Sequence, residues 1–133
     1  MVRNSSPKKS AHAEAKRSVR NILLVGRFFA GVQCKGHLSA IAAFKLLKKQ
    51  NPSIRHELKL TLLGHVATGQ EAYHSDVKRR AAKVDGVRVL TNVQPKVMHS
   101  EIASSDVVWS LTGLDRPQVL LPADAEHFGL ALL

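Results

Sequence analysis

The sequence has a single cysteine, Cys34, among its 133 residues. It can therefore form neither an internal disulfide nor a cysteine-rich zinc site, and nothing in it requires an oxidising compartment. Long apolar runs are also missing. The longest stretch without a formal charge, residues 60–70, is far shorter than the roughly 18 apolar residues of a membrane-spanning helix. We therefore expect a cytoplasmic protein with neither a transmembrane segment nor a secretory signal.

Acidic residues are scarce: ten Asp and Glu stand against 20 Lys and Arg, giving a net charge of +10. Residues 1–20 hold six of the basic residues and one of the acidic ones, so half of the net charge lies in this segment. The segment has no Leu, Ile or Phe, and we predict a disordered basic tail. Such a tail can attract nucleic acid through charge alone, but no specific nucleic-acid partner is predicted.

The pattern changes at residue 21, where four short apolar segments begin to alternate with three longer segments of helical periodicity. The predicted strands span residues 22–25, 58–63, 87–90 and 106–111, and the predicted helices span 37–50, 71–84 and 96–104. This alternation indicates βαβ units, which form parallel sheets with right-handed crossovers. We predict one α/β domain over residues 21–133, a Rossmann-like parallel sheet in the order 3-2-1-4 with helices on both faces.

Ligands of open parallel sheets bind outside the carboxyl ends of the strands. The first such loop carries Arg27 and Lys35 on a glycine-containing segment that ends at Gly36, where a helix begins. Cations beside helix amides suit a phosphate. The segment matches neither the dinucleotide-binding G-x-G-x-x-G pattern nor the Walker A pattern, so phosphate binding and an ordinary solvated loop both remain open from the residues alone.

Other candidate residues give weaker signals. His37, His65 and His127 fall in predicted strand-end loops, but no metal-ligand spacing accompanies them, and we expect surface or core-edge histidines and no metal site. Cys34 lies beside a lysine without a second cysteine, and a passive thiol is expected. Glu126 can accept hydrogen bonds from sugar hydroxyls or simply favour a helix N-terminus, and its position does not decide between the two.

Several motifs occur in the order found in one enzyme family. The run from Ile22 to Phe29, the Lys35-Gly36-His37 segment and the Glu126-His-Phe-Gly129 segment are supported by Gly64 and by residues 109–113. Together they resemble the donor-binding domain of retaining GT-B glycosyltransferases of group 1, the glycogen-synthase-like superfamily. Each motif is weak alone, and their order on one βαβ scaffold carries the resemblance.

The resemblance implies transfer of a sugar from a nucleotide-sugar donor to a hydroxyl acceptor, without a bound metal or another cofactor. It also implies that Arg27 and Lys35 bind the donor diphosphate and that Glu126 faces the donor sugar, as the catalytic residues. Four further positions are implied to contact the donor, the first near its base and the others at its phosphates: Val93, Phe128, Gly129 and Leu130.

The sequence departs from the family in one respect. The second Glu of the family's E-x7-E motif would be the residue after Leu133, and no acceptor domain precedes the first strand. We therefore expect a truncated donor-binding domain that is inactive alone and lacks its acceptor domain. The alternative is a non-catalytic Rossmann-like module that binds phosphate or nucleotide groups or docks to another chain.

Overall fold

The computed structural model of the protein describes residues 19–31 and 34–112. Strands and helices alternate along these residues, as the sequence predicted. The strands are β1 (Asn21–Val25), β2 (Lys59–Gly64), β3 (Val87–Thr91) and β4 (Val107–Val108), and the helices are α1 (His37–Gln50), α2 (Glu71–Ala81) and α3 (Pro95–Ser104). No helix in the described part of the chain is both long and apolar enough to cross a membrane.

The four strands form one sheet in the order β3-β2-β1-β4, and every pairing is parallel. In the register of β1, Leu23 lies opposite Thr61 of β2 on one side and Val108 of β4 on the other. The predicted order and the central position of the first strand are confirmed.

Three consecutive residues of β1, Ile22, Leu23 and Leu24, are buried. Neighbouring side chains of a strand point to opposite faces, so both faces of β1 must be covered. On one face, the main apolar core includes Phe44 of α1 and Val77 of α2. The continuous apolar run in the sequence thus follows from burial on both sides.

Helices α1 and α2 pack against each other, whereas α3 contacts β1. Right-handed crossovers explain this arrangement, because the chain moves outward from β1 to β3 and then returns past β1 to β4. The return places α3 on the face opposite α1 and α2. On that face the Arg88 guanidinium donates to the hydroxyl of Thr61 at 2.8 Å and to Glu101 at 2.6 Å. Helices on both faces of the sheet are therefore confirmed.

Two element boundaries were predicted wrongly. Helix α2 ends at Ala81, and the following residues form a turn in which the Val84 amide donates to the Ala81 carbonyl at 3.0 Å. Strand β4 has two residues where six were predicted. Within residues 19–31 and 34–112 it pairs with β1 alone. Beyond Trp109, whose amide donates to the Leu23 carbonyl at 2.8 Å, the chain leaves the sheet and Leu111 packs beside Gly36.

Candidate functional site

The strand order reverses between β1 and β4, because β2 and β3 lie on one side of β1 and β4 lies on the other. In open α/β sheets, ligands bind in the crevice outside the carboxyl ends of the strands at such a reversal. Residues 26–36 follow β1 at this edge and residues 109–112 follow β4. The topology therefore selects the first strand-end loop as the candidate site.

The start of this loop is held tightly against the loop that follows β2. The Phe28 amide donates to the His65 carbonyl at 2.9 Å, and the Ala67 amide donates to the Phe28 carbonyl at 3.3 Å. A Cβ at Gly64 would overlap the carbonyl oxygen of Gly26, so this approach requires glycine at position 64. Parallel pairing thus continues past the strand ends and fixes where the loop begins.

Lys35 folds back across the end of β1. A Cβ at Gly26 would overlap Lys35 Cγ and lie 2.8 Å from Lys35 Cβ, so the absence of a side chain at Gly26 makes room for the lysine stem. Burial lowers the pKa of Lys35, and the charge of Arg27 lowers it further. The Arg27 guanidinium itself lies 5.2 Å from the centroid of the Phe29 ring, at cation–π distance. The two predicted cations therefore share one electrostatic environment.

Neither Arg27 nor Lys35 forms an ion pair with a carboxylate among residues 19–31 and 34–112. Two neighbouring like charges disfavour each other, and partial burial of Lys35 adds to that cost. A bound anion would offset both the repulsion between the two cations and the cost of partly burying Lys35. The electrostatics of this loop therefore match an anion-binding site.

Helix α1 begins directly after Lys35. Gly36 adopts the left-handed conformation with φ 80°, and among the described residues no side-chain hydrogen bond caps the helix. The backbone N–H groups of a first turn have no partners within the helix, and they carry the positive end of its dipole. Leu111 lies against Gly36, where an added Cβ would be 2.8 Å from Leu111 Cβ. The start of α1 therefore faces the crevice between β1 and β4.

A buried chain of hydrogen bonds supports the loop from beneath. His37 is 0% exposed, with Nε2 3.3 Å from the Gly26 carbonyl oxygen and Nδ1 3.0 Å from the Tyr73 hydroxyl. A carbonyl only accepts, so Nε2 carries the proton and Nδ1 accepts from Tyr73. The Tyr73 oxygen is 3.4 Å from Cys34 Sγ, which accepts from the Gly36 amide at 3.5 Å. This chain joins both ends of the loop to α2.

His37 and Tyr73 are both neutral near pH 7. Burial lowers the pKa of His37 to about 4, although its hydrogen bond to the Gly26 carbonyl opposes that shift. Burial also raises the pKa of Tyr73 above its ordinary value, and the contact with Cys34 adds to the shift. Phe28 stacks on the His37 ring with centroids 4.4 Å apart, which completes the enclosure. These hydrogen bonds therefore fix the backbone on both sides of Lys35, and neither His37 nor Tyr73 adds charge to the site.

Sequence reasoning did not predict these buried hydrogen bonds. It placed His37 at the surface or the core edge, whereas the side chain is fully buried, and it did not single out Tyr73. One signal was present: Tyr73 precedes the buried Val77 by four residues on α2, so both share the core-facing side of the helix. A tyrosine at such a position needs a partner for its hydroxyl.

The loops after β2 and β3 form a neighbouring group. The His65 ring lies 2.9 Å from the Asn92 side-chain oxygen, and His74 Nε2 lies 2.6 Å from the Thr91 hydroxyl. Asn92 adopts φ 55°, which turns the chain just before Val93. Within the described ranges, no three His, Cys, Asp or Glu side chains come together in a manner that could hold a metal ion.

The structure thus brings Arg27 and Lys35 together at the end of β1 and puts Val93 after β3, beyond the intervening strand β2. Most of the basic segment lies outside the described residues. So do the other predicted site residues, which are Glu126, Phe128, Gly129 and Leu130, and also His127.

The fold is a Rossmann-like parallel α/β sheet, with the candidate site at the carboxyl ends of its strands. Among solved structures, the chain is similar to the apo structure of OtsA, with 17% identity and a TM-score of 0.56 over 77% of this chain and 25% of that one. It is also similar to an E. coli structure titled as bound with UDP-2-fluoro glucose, with 20% identity and a TM-score of 0.52 over 78% of this chain and 26% of that one. A further similar structure is named trehalose-6-phosphate synthase, OtsA, with 18% identity and a TM-score of 0.55 over 78% of this chain and 25% of that one.

The chain spans about a quarter of the length of these structures, and at this identity the likeness concerns the fold. No protein-family model matches the chain, and no curated protein matches it in sequence. The predicted Rossmann-like parallel sheet with helices on both faces is confirmed.

Proposed function

We propose that this chain is part of the donor-binding domain of a retaining glycosyltransferase and binds the diphosphate of a nucleotide-sugar. Arg27 and Lys35 contact the diphosphate, and the first amides of α1 add a positive partial charge. The observation that carries the proposal is the position of Lys35, which lies across Gly26 with its pKa lowered by burial and by Arg27.

The chemistry of glycosyl transfer explains why cations belong here. Breaking the bond between sugar and phosphate builds negative charge on the leaving diphosphate, and cations already held in place stabilise that charge without reorganising. The buried chain through His37 and Tyr73 supplies this rigidity, because it fixes the backbone on both sides of Lys35. Arg27 and Lys35 thus act on the leaving group rather than on the sugar.

The remaining roles follow the resemblance in sequence. Glu126 faces the donor sugar, the amides of Phe128, Gly129 and Leu130 assist the phosphates, and Val93 lies near the base. Transfer to a hydroxyl acceptor requires an acceptor-binding domain as a partner, and no metal or other cofactor takes part. One similar solved structure is titled as bound with UDP-2-fluoro glucose, which makes UDP-glucose a suitable first probe.

Titration calorimetry of the full chain with UDP and UDP-glucose tests the diphosphate site. A hydrogen bond to a charged group contributes about 1.5–3 kcal/mol, so Arg27→Gln and Lys35→Gln should each weaken binding by about tenfold or more. Lys96→Gln removes an exposed lysine from α3 and is the matched control, with binding close to that of the unchanged chain. Equal affinity in all four proteins would refute the diphosphate site.

The same experiment distinguishes the alternative of a non-catalytic module. Uridine, which lacks phosphates, should not compete with UDP if the diphosphate provides most of the affinity. Release of glucose from bound UDP-glucose, lost in Lys35→Gln, would support a transferase. Tight UDP binding with no turnover after an acceptor domain is supplied would instead favour a nucleotide-binding or docking module.

A further inference from the structure

A second concave surface lies at the opposite edge of the sheet, where α1 and α2 end and β2 and β3 begin. It is an open cleft of about 380 Å³. His56 and a single described carboxylate residue, Asp85, lie in its lining, which is otherwise dominated by basic side chains from three separate segments. These basic residues are Lys45, Lys48, Lys49, Arg55 and Lys83.

Asp85 offsets only part of the positive charge of this cleft. Lys48 donates to the backbone carbonyl of Asp85 at 2.5 Å and lies 5.6 Å from the centroid of the Phe44 ring. Arg55 donates to a ring nitrogen of His56 at 3.5 Å. Among the described ion pairs, none involves a basic residue of this cleft. The cleft therefore concentrates positive charge around a small volume.

The helix dipole accounts for part of this arrangement. Lys48 and Lys49 lie in the last turn of α1, where the negative end of the dipole favours cations. The effect fades within one turn and does not explain Lys45, which lies earlier on α1, or Arg55, which lies in the connection to β2. Convergence of three segments on one concavity therefore needs another cause.

A neighbouring groove between α1 and α2, of about 390 Å³, shares Lys45 and Lys83 with the cleft. The basic residues that it adds are Arg79 and Arg80, and both pair with Asp76. Two cations of the groove are thus paired with a carboxylate, whereas no cation of the cleft takes part in a described ion pair. This contrast favours a compact anion in the cleft over a long polyanion that runs along both.

We propose that this cleft binds a compact anion that carries several linked phosphate groups. Its volume lies within the range of small-molecule sites, about 300–1,000 Å³. Linked phosphates bring several negative charges into such a space, whereas a carboxylate brings one charge per group. The guanidinium of Arg55 also suits bidentate contact with phosphate oxygens. The site lies at the opposite sheet edge from Arg27 and Lys35 and does not depend on the function proposed for them.

Titration calorimetry of the full chain with inorganic tripolyphosphate tests this site. The double variant Lys49→Gln/Arg55→Gln removes two cations that line the cleft but not the neighbouring groove, and it should weaken binding by at least about tenfold because each lost contact is charge-assisted. Lys78→Gln/Lys96→Gln removes the same charge from exposed positions outside the cleft lining and should change affinity by less than about threefold. Every variant keeps residues 1–20, so any binding by that segment is common to all.

The double variant Arg27→Gln/Lys35→Gln removes the diphosphate site proposed at the donor edge and should retain the tripolyphosphate binding that the cleft variant loses. Saturation of the unchanged chain should raise its melting temperature by mass action, and this shift should shrink in the cleft variant. Equal weakening by the cleft and control variants would overturn the proposal. So would loss of binding in the donor-edge variant alone, or cleft-dependent binding of anionic vesicles or single-stranded RNA without binding of tripolyphosphate.

Discussion

Acidification should destabilise the fold through His37, which is fully buried and neutral. Its pKa in the folded chain is about 4, lowered mainly by burial, against an ordinary value of 6.5. Because the folded pKa is the lower one, the unfolded chain binds more protons between these values. Stability is therefore greatest above about pH 6.5 and declines as the pH falls toward about 4.

The pKa difference sets the size of this effect. Between about pH 7.5 and about pH 4.5, linkage predicts a loss of about 2.5 kcal/mol of unfolding free energy from His37 alone. For a domain of this size, that loss corresponds to a fall of about 10 °C in melting temperature. His74, whose pKa is lowered by burial and by Lys78, acts in the same direction. Asp76 has a pKa below its usual value, so its protonation belongs to a lower pH range.

Thermal unfolding followed by circular dichroism, at several pH values across this window, measures the effect. The variant His37→Gln removes the titrating ring, so its melting temperature should depend much less on pH even if its stability at neutral pH is lower. His99→Gln removes an exposed histidine from α3 and should keep the pH dependence of the unchanged chain. The slope of melting temperature against pH therefore reports the contribution of His37.

Two outcomes would refute the reasoning. If His37→Gln and the unchanged chain lose the same melting temperature over this window, His37 is not the titrating group. If the unchanged chain shows no loss at all, the His37 ring is not held neutral by burial, and the proton positions assigned to its hydrogen bonds with Gly26 and Tyr73 are wrong as well.

Two further predictions concern the same loop. Tyr73→Phe leaves His37 Nδ1 without its donor and should cost about 1–3 kcal/mol in chemical denaturation, and an unchanged midpoint would contradict the buried chain. Gly36→Ala and Gly69→Ala impose similar backbone strain, at φ 80° and 79°, but only at Gly36 would the new Cβ meet Leu111. Gly36→Ala should therefore be the less stable by about 1–3 kcal/mol, and equal losses would show that Leu111 yields without cost.

The fold could be predicted because its signals are local and repeated. The apolar run beginning at Ile22 indicates a strand buried on both faces, and helical periodicity after His37 indicates the crossover. With right-handed crossovers, these elements permit few strand orders. The length of β4 could not be predicted in this way, because pairing of Val107 and Val108 with β1 ends where Leu111 packs beside Gly36, a contact distant in sequence.

The candidate site was predictable to a smaller extent. Arg27 and Lys35 could be assigned to one loop because both lie between the first strand and its helix. The support beneath them depends on Tyr73, 36 residues beyond His37 along the chain, and no local pattern joins the two. Sequence spacing finds charged residues at a strand end, but it does not reveal which buried polar groups fix their positions.

The α1 dipole has opposite effects on the two basic regions at its ends. At the C-terminal end, Lys48 and Lys49 are favoured by the dipole itself and would be stable without a ligand. At the N-terminal end the dipole is positive, so Lys35 lies where a cation is disfavoured, with Arg27 opposing it as well. Three sources of positive potential thus lie close together: Lys35, Arg27 and the N-terminal end of α1. Burial of the lysine stem adds to the energetic cost of this arrangement. An arrangement that is unfavourable in the isolated fold would become favourable on binding of the diphosphate proposed for Lys35.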